Sequence, residues 1–235
     1  MNIALVTAAG RGSRMKQEVP KQFMPIKNKP LIIYTLEAFQ NHPNIDAIII
    51  PCLRGWEQIM WAYVKQYKIT KVKWIIDGGI GDNGQLSIKL ALDELAKTCS
   101  KDDLVLVHDG NRALISDEII SDSIVTCREK GNAVAVVPCN EVIVKSDNNE
   151  ESVEFLNREE LKRTQTPHTF PLGKMLWAHE EAAKRNIEKT VATCDLMMRL
   201  GEKIHFSVGS EKNMKITTPV DVEIFQALLT IDNEM

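Results

Sequence analysis

The sequence lacks the features of a disulfide-rich, membrane-spanning or nucleic-acid-binding protein. Its five cysteines are widely spaced and include no Cys-x-x-Cys pair, which argues against a disulfide framework or a zinc site. No apolar run approaches the roughly 20 residues that a membrane-spanning helix needs. The formal net charge of −3 leaves no basic excess to neutralise a nucleic-acid backbone. From these absences we expect a soluble protein that acts on small molecules.

The first residues also lack the pattern of a secretory signal. Met1 is followed at once by an apolar run that is typical of a core strand, whereas a signal peptide has a basic region and a longer apolar stretch. Together with the unpaired cysteines, this pattern predicts a cytoplasmic protein.

Short β-branched runs alternate with longer amphipathic stretches, and no repeat or low-complexity segment interrupts them. The 235 residues, 44% of them hydrophobic, suffice for one large α/β domain. Strands that are apolar along their whole length are buried on both faces, so the alternation predicts a mostly parallel, doubly wound sheet. The predicted strands are Ile3–Thr7, Ala47–Ile50, Val72–Ile76, Leu104–Val107, Ala133–Val137 and Ile204–Val208. The predicted helices are Leu31–Gln40, Trp56–Tyr67, Ile88–Lys97, Asp117–Lys130, Leu172–Arg185 and Val220–Leu229.

One stretch departs from this alternation. Two short extended runs, 140–145 and 153–156, flank the polar turn Ser-Asp-Asn-Asn and predict a hairpin that leaves the sheet. Within a single domain covering 1–235, residues 139–160 would then form a β-arm. The pattern alone leaves two roles open, a dimer contact or an ordinary surface hairpin.

The first predicted strand runs into a loop of small and basic residues. Residues 8–15 read Ala-Ala-Gly-Arg-Gly-Ser-Arg-Met, and Lys21 follows soon after. Small residues let backbone N–H groups approach phosphate oxygens, and Arg14 and Lys21 add positive charge beside them. A dinucleotide fingerprint fails because Met15 replaces its third small residue, and the Gly-Lys-Ser/Thr of a P-loop is absent. The loop therefore favours a phosphate site over a plain tight turn.

Two further polar clusters follow predicted strands. The glycine-dense segment 77–87 begins Asp-Gly-Gly and leads into a helix, which suits either a ring or phosphate contact or a flexible connector. The run 108–112, His-Asp-Gly-Asn-Arg, follows an apolar strand. Its carboxylate, Asp109, suits either Mg²⁺ or a substrate hydroxyl, and the alternative is a structural ion pair with Arg112.

A fourth cluster, 213–219, contains Lys215 and two threonines before a proline. Thr217 or Thr218 is predicted to cap the helix that Pro219 begins. Capping does not explain Lys215, which would be a further cation at the same edge of the sheet. Arg14, Lys21, Arg112 and Lys215 together predict a polyanion site, provided that the fold brings them together.

These clusters resemble the cytidylyltransferases that act on methylerythritol 4-phosphate and ribitol 5-phosphate. The resemblance spans nearly the whole chain in the family's order. The matching motifs are Ala8-Ala9-Gly10-x-Gly12-x-Arg14-Met15, Pro20-Lys21-Gln22-Phe23, Val107-His108-Asp109, Arg163-Thr164-Gln165-Thr166-Pro167-x-x-Phe170 and Asn213-x-Lys215-Ile216-Thr217-Thr218-Pro219-x-Asp221.

The resemblance implies a Rossmann-like nucleotidyltransferase domain, a protruding β-arm that builds a homodimer, and a requirement for Mg²⁺ or another divalent cation. It implies CTP and a small polyol phosphate as substrates, joined with loss of pyrophosphate; it leaves the metal ligands unidentified. By the resemblance, the catalytic residues are Arg14, Lys21 and Lys215. The CTP-binding residues are Ala8, Ala9, Gly10, Arg11, Gly12, Gly79, Ser87 and Gly110, and the acceptor-binding residues are Asp109, Arg112 and Arg158.

Departures from the family pattern concentrate on the acceptor side. On that side, Val142 replaces an arm threonine that helps to hold the acceptor. In the nucleotide half, Ile80 stands where a polar residue is common and the loop to Ser87 is extended, which bears on the selectivity for the base. Trp56 and the run 216–219 resemble the ribitol-phosphate branch more than the isoprenoid branch. Ribitol 5-phosphate is therefore the favoured acceptor, as a precursor of a cell-surface polymer. The alternatives are the methylerythritol enzyme of isoprenoid synthesis and a non-catalytic nucleotide-binding homologue.

Overall fold

A computed structural model describes residues 1–12, 19–81 and 83–232 of the chain. Its strands are β1 (Asn2–Thr7), β2 (Pro25–Ile26), β3 (Lys29–Pro30), β4 (Ala47–Cys52), β5 (Val72–Asp77), β6 (Leu104–Asp109), β7 (Ala133–Pro138), β8 (Ile143–Lys145), β9 (Glu154–Leu156), β10 (Lys162–Pro171) and β11 (Phe206–Val208). Its helices are α1 (Leu31–Asn41), α2 (Glu57–Gln66), α3 (Gly84–Leu95), α4 (Asp117–Lys130), α5 (Leu172–Lys184), α6 (Thr193–Arg199) and α7 (Pro219–Asp232). Within these described ranges, no helix has the length and apolar character needed to cross a membrane.

A seven-stranded sheet forms the centre of the molecule, in the order β11-β7-β10-β6-β1-β4-β5. Strand β10 runs antiparallel to its neighbours β6 and β7, and the other adjacent pairs are parallel. The prediction of a mostly parallel sheet is therefore confirmed. The carboxyl ends of β1, β4, β5 and β6 meet at one edge, which is where open α/β sheets bind ligands.

Helices cover both faces of this sheet, as its apolar strands require. Successive side chains of a strand point to opposite faces. Ala4 and Val6 of β1 accordingly pack in one core cluster with α1, α2 and α4. Ile3 and Leu5 pack in a second cluster with α3, α5 and α6. The doubly wound arrangement is thus confirmed, with a separate core on each side of the sheet.

Besides the two-residue strands β2 and β3, two elements were not predicted from the sequence. Strand β10 begins Lys-Arg-Thr-Gln-Thr, which has no apolar run, yet Thr166–Phe170 is buried between β6 and β7. Some of its buried polar side chains have partners: Thr169 Oγ1 lies 2.6 Å from Ser123 Oγ of α4. Helix α6 has only seven residues, too few to show a clear helical period. Tertiary pairing, rather than local pattern, determines both elements.

The predicted hairpin is present as a small sheet of its own. Strands β8 and β9 pair antiparallel, with Val144 opposite Phe155, and are not part of the central sheet. Both side chains are exposed. The prediction of a hairpin is confirmed in its local structure, whereas its role as a dimer arm stays a prediction.

Candidate active site

A cavity of about 390 Å³ opens at the carboxyl ends of β1 and β6. Its wall combines the loop after β1, the first turn of α3, part of β10 and the segment that precedes α6. The predicted site residues that line it are Ala8, Ala9, Gly10, Lys21, Ser87, Asp109, Arg112 and Lys215. Three of the four predicted cations therefore converge. Arg14, the fourth, lies outside the described residues.

The two glycine-rich loops pack directly against each other on one side of this cavity. Ala8 is fixed by its N–H, which donates to the Pro51 carbonyl at 3.0 Å, and by Gln22 Nε2, which donates to its carbonyl at 2.7 Å. At Gly81, which has φ +85°, an added Cβ would lie 2.7 Å from the Ala9 carbonyl oxygen. Glycine is required there because a larger residue would force the loops apart. The close approach leaves backbone, rather than side chains, facing the cavity.

Ser87 joins the second loop to α3. Ser87 is buried, with 3% of its surface exposed, and its hydroxyl donates to the Gly78 carbonyl at 2.5 Å. The preceding Asn83 caps α3, because its side-chain oxygen accepts from the Leu86 N–H at 3.1 Å. Ser87 thus lines the cavity and also holds the loop that shapes it.

On the other side of the cavity, one carboxylate binds two cations. Asp109, at the end of β6, accepts from Lys215 Nζ at 2.9 Å through Oδ1 and from Arg112 Nε at 3.0 Å through Oδ2. Burial alone would raise the pKa of Asp109, but the charges of Lys215 and Arg112 outweigh it and hold the pKa well below the usual range. The cluster therefore contains one negative and two positive charges at neutral pH, a net positive site suited to an anion.

Lys215 is held in place by a network of buried amides. Asn111 Nδ2 donates to the Ile216 carbonyl at 2.5 Å, and the Ile216 N–H donates back to the Asn111 carbonyl at 3.0 Å. Asn213, which is fully buried, donates to the Thr166 carbonyl at 2.8 Å and accepts from Arg112 Nη1 on its own carbonyl at 2.7 Å. These bonds attach the segment carrying Lys215 to both β10 and the loop after β6.

A hydrogen-bonded chain beneath Asp109 fixes the end of β6. The Asp109 N–H donates to Thr166 Oγ1 at 3.0 Å, and that oxygen lies 3.0 Å from His108 Nδ1. His108 Nε2 lies 3.1 Å from the Arg112 carbonyl. Burial lowers the pKa of His108 to about 4, so the ring is neutral at neutral pH. The tautomer protonated on Nε2 satisfies every bond in this chain.

Comparison with known proteins supports the resemblance stated above. The model of the IspD family, 2-C-methyl-D-erythritol 4-phosphate cytidylyltransferase, matches residues 2–231. The chain belongs to this family of cytidylyltransferases. A ribitol-5-phosphate cytidylyltransferase of Lacticaseibacillus paracasei is 41% identical over 97% of this chain and 98% of its own length. A 2-C-methyl-D-erythritol 4-phosphate cytidylyltransferase of Clostridium botulinum is 33% identical over 97% of both chains.

Solved structures of the family share the fold. A 4-diphosphocytidyl-2C-methyl-D-erythritol synthase superposes with a TM-score of 0.80 at 22% identity, over 97% of this chain and 99% of that one. The 2-C-methyl-D-erythritol 4-phosphate cytidylyltransferase of Thermus thermophilus gives a TM-score of 0.75 at 23% identity, over 97% and 98%. The predicted nucleotidyltransferase fold is thereby confirmed.

The remaining family positions lie beside the cavity rather than in its wall. Arg11 Nε donates to the Ile80 carbonyl at 2.6 Å, and Gly12 packs against Lys21. Gly79 donates its N–H to Asp77 Oδ1 at 2.8 Å. Gly110 accepts from Thr35 on its carbonyl at 3.0 Å. Arg158 is exposed next to the hairpin, where it donates to the Asn140 carbonyl at 3.3 Å, so this chain alone does not bring it to the cluster.

Several cavity residues were not assigned a role from the sequence. They come from β10, α5, the segment before α6 and α6 itself: Thr164, Gln165, Thr166, His168, His179, Thr190, Val191, Ala192, Thr193 and Leu196. The sequence did contain part of the information needed to identify them, because residues 163–170 form one of the motifs shared with the family. The segment before α6 matches the family pattern only loosely, so its side chains could be placed only by the fold.

The donor set suits a divalent ion that is carried largely by a nucleotide. Throughout the described part of the chain, no group of three or more His, Cys, Asp or Glu side chains is arranged to hold a metal. Asp109 is the acidic side chain among the described residues lining the cavity, and both its oxygens already bind cations. Mg²⁺ commonly takes one or two carboxylates and completes its shell with water and substrate phosphates. Here Asp109 would provide the carboxylate, and the triphosphate of the nucleotide would provide the phosphate oxygens.

Buried neutral histidines make stability depend on pH. Burial lowers the pKa values of His108, His168 and His179 to about 4, from 6.5. Above pH 6.5 these histidines are neutral in both the folded and the unfolded chain, so the free energy of unfolding has its full value there. As the pH falls from 6.5 towards 4, the unfolded chain binds protons that the native protein does not. The free energy of unfolding should therefore fall by up to about 1.4 kcal/mol per pH unit for each histidine.

Urea denaturation of wild type and His108→Gln between pH 7.5 and 4.5 checks this. The variant is expected to be less stable at pH 7.5 but to lose stability less steeply as the pH falls. Equal slopes for the two proteins would contradict the assignment of a neutral, buried His108.

Proposed function

We propose that this protein transfers CMP from CTP to ribitol 5-phosphate, giving CDP-ribitol and pyrophosphate. The observation that carries the proposal is the convergence of Lys21, Arg112 and Lys215 on a cavity whose other side is formed by two glycine loops. Family membership supplies the reaction class. The relatives support the acceptor, since a ribitol-5-phosphate cytidylyltransferase of Vibrio parahaemolyticus is also 36% identical over 97% of this chain.

The order of the strands separates two halves of the proposed site. Loops after β1 and β5 form the glycine-lined half, which would bind CTP through Ala8, Ala9, Gly10 and Ser87. Strands β6 and β10 form the other half, where Arg112 and Lys215, held in position by Asp109, would bind the acceptor phosphate. Lys21, Lys215 and Arg14 are proposed to stabilise the reacting phosphates.

Charge accounts for the chemistry. An oxygen of the acceptor phosphate attacks the α-phosphorus of CTP, a new P–O bond forms, and the bond to the β-phosphate breaks to release pyrophosphate. Because a phosphate dianion is already nucleophilic, no covalent nucleophile or strong base is needed. The lysine and arginine side chains oppose the negative charge that accumulates on the phosphorane-like transition state. Mg²⁺, when bound, would neutralise further phosphate charge.

Methylerythritol 4-phosphate is the second candidate acceptor, favoured by the description of the matching family. We propose a cytoplasmic location, which is supported by five cysteines that are unpaired thiols and suit a reducing compartment.

Pyrophosphate release measured with separate acceptors tests the reaction and names the substrate. Purified protein with Mg²⁺ and CTP should release pyrophosphate with ribitol 5-phosphate, more slowly with methylerythritol 4-phosphate, and little with ATP, GTP or UTP in place of CTP. Lys21→Ala should lower the rate by about a hundredfold, since one cation at a developing charge contributes on the order of 3 kcal/mol.

Folded protein that binds CTP but releases no pyrophosphate with either acceptor would favour a non-catalytic homologue. Folded protein that binds no nucleotide would contradict the proposal altogether.

We further propose that the hairpin β8–β9 builds a homodimer. Its apolar side chains Val142, Val144 and Phe155 are 67%, 57% and 62% exposed, an arrangement that a single chain leaves without cover. Dimerisation would also bring Arg158, next to the hairpin, towards the partner's site.

Sedimentation of wild type, Phe155→Glu and a control, Phe206→Glu, tests the dimer. Phe206 is similarly exposed at 51% but lies outside the hairpin, on the edge strand β11 of the central sheet. Wild type and control should sediment as dimers at micromolar concentration, and Phe155→Glu as a monomer. A monomeric wild type would contradict the proposal.

A further inference from the structure

Three described residues that line the cavity have a buried polar atom without a partner: Gln22, beside the loop after β1, and His168 and Thr193, in β10 and α6. His168 Nε2 and Thr193 Oγ1 make no hydrogen bond to any described residue, although their residues are only 3% and 5% exposed. Both residues line the cavity. Buried polar groups are normally hydrogen-bonded, and an unpaired one destabilises the fold. Two such atoms in one ligand cavity indicate that a ligand pairs with them.

The chemistry of the two side chains defines that ligand. Burial lowers the pKa of the His168 ring to about 4, so the ring is neutral at neutral pH and has one N–H and one acceptor nitrogen. Nε2 has no partner, and in either tautomer it can pair with a ligand hydroxyl. The Thr193 hydroxyl both donates and accepts. A ligand hydroxyl, which likewise donates and accepts, satisfies both atoms.

The strand register places His168 in the acceptor half of the site. His168 in β10 lies opposite Val107 in β6, two residues before Asp109. Thr166, two residues from His168, bonds to the Asp109 N–H. His168 thus lies on the β6–β10 side of the site, and strand β6 separates it from β1, whose loop belongs to the glycine-lined half. A polyol that is held by its phosphate at Arg112 and Lys215 would extend its carbon chain towards this side of the cavity.

We propose that His168 and Thr193 bind hydroxyl groups of the acceptor polyol and thereby select its class. This inference rests on the proposed function and deepens it. An unbranched, hydroxyl-rich acceptor such as ribitol 5-phosphate satisfies both atoms. A methyl branch pointing at this side of the cavity would leave them unpaired, and sites built to bind a hydroxyl discriminate strongly against analogues that lack it.

Steady-state kinetics of isosteric variants test the assignment. Thr193→Val removes the hydroxyl while keeping the shape, and His168→Leu removes the ring acceptor. Each is expected to raise the KM for ribitol 5-phosphate by about 3- to 10-fold, the size of one hydrogen bond, with the KM for CTP unchanged. His168→Gln, whose amide oxygen can accept in place of Nε2, should restore most of the loss. Thr126→Val is the matched control, because Thr126 is buried at 8% but does not line the cavity.

The outcomes separate this inference from the proposed function. Wild type that is inactive with ribitol 5-phosphate would overturn both. Active wild type with variants that behave like the control would overturn only the role of His168 and Thr193. A higher KM for CTP at an unchanged acceptor KM would assign the two residues to the nucleotide and overturn the inference. Loss of discrimination between ribitol 5-phosphate and methylerythritol 4-phosphate in Thr193→Val would support it.

Discussion

The shared carboxylate of Asp109 is the interaction on which the arrangement of the site depends. Lys215 and Arg112 come from segments 103 residues apart in the chain, and each binds one oxygen of this side chain. Without Asp109, two adjacent cations would repel each other in a partly buried wall. With it, both are held in position and a net positive charge remains. Folding therefore holds these cations in position before a phosphate enters the cavity, so that binding does not have to rearrange them.

The sheet order explains why the remaining parts lie where they do. Strand β1 lies between β6 and β4, so its loop is adjacent to the Asp109 cluster on one side and to the second glycine loop on the other. The antiparallel β10 extends the sheet beyond β6 and brings Thr166 and His168 beside that cluster. In the proposed reaction, one continuous sheet edge would present backbone to one substrate and charged side chains to the other. A transfer between two phosphates requires such neighbouring but chemically different halves.

Much of this arrangement could be predicted from the sequence, because it follows from local pattern. Apolar runs fixed β1, β4, β6 and β7, and the helix capped before Pro219 is present, with Thr218 Oγ1 accepting from the Asp221 N–H at 3.3 Å. Strand β10 could not be predicted, because its burial depends on pairing with β6 and β7 rather than on its own composition. For the same reason, no role for His168 and Thr193 could be predicted from local pattern, because only the fold brings them into one cavity.

The kinetic effect of Lys215→Ala tests the central claim most directly. Lys203→Ala, at an exposed position away from the cavity, is the control. The account predicts that kcat/KM for CMP transfer to ribitol 5-phosphate falls by about a hundredfold in Lys215→Ala and is unchanged in the control. A folded Lys215→Ala protein with the activity of the control would contradict the claim that this charge cluster binds the reacting phosphates.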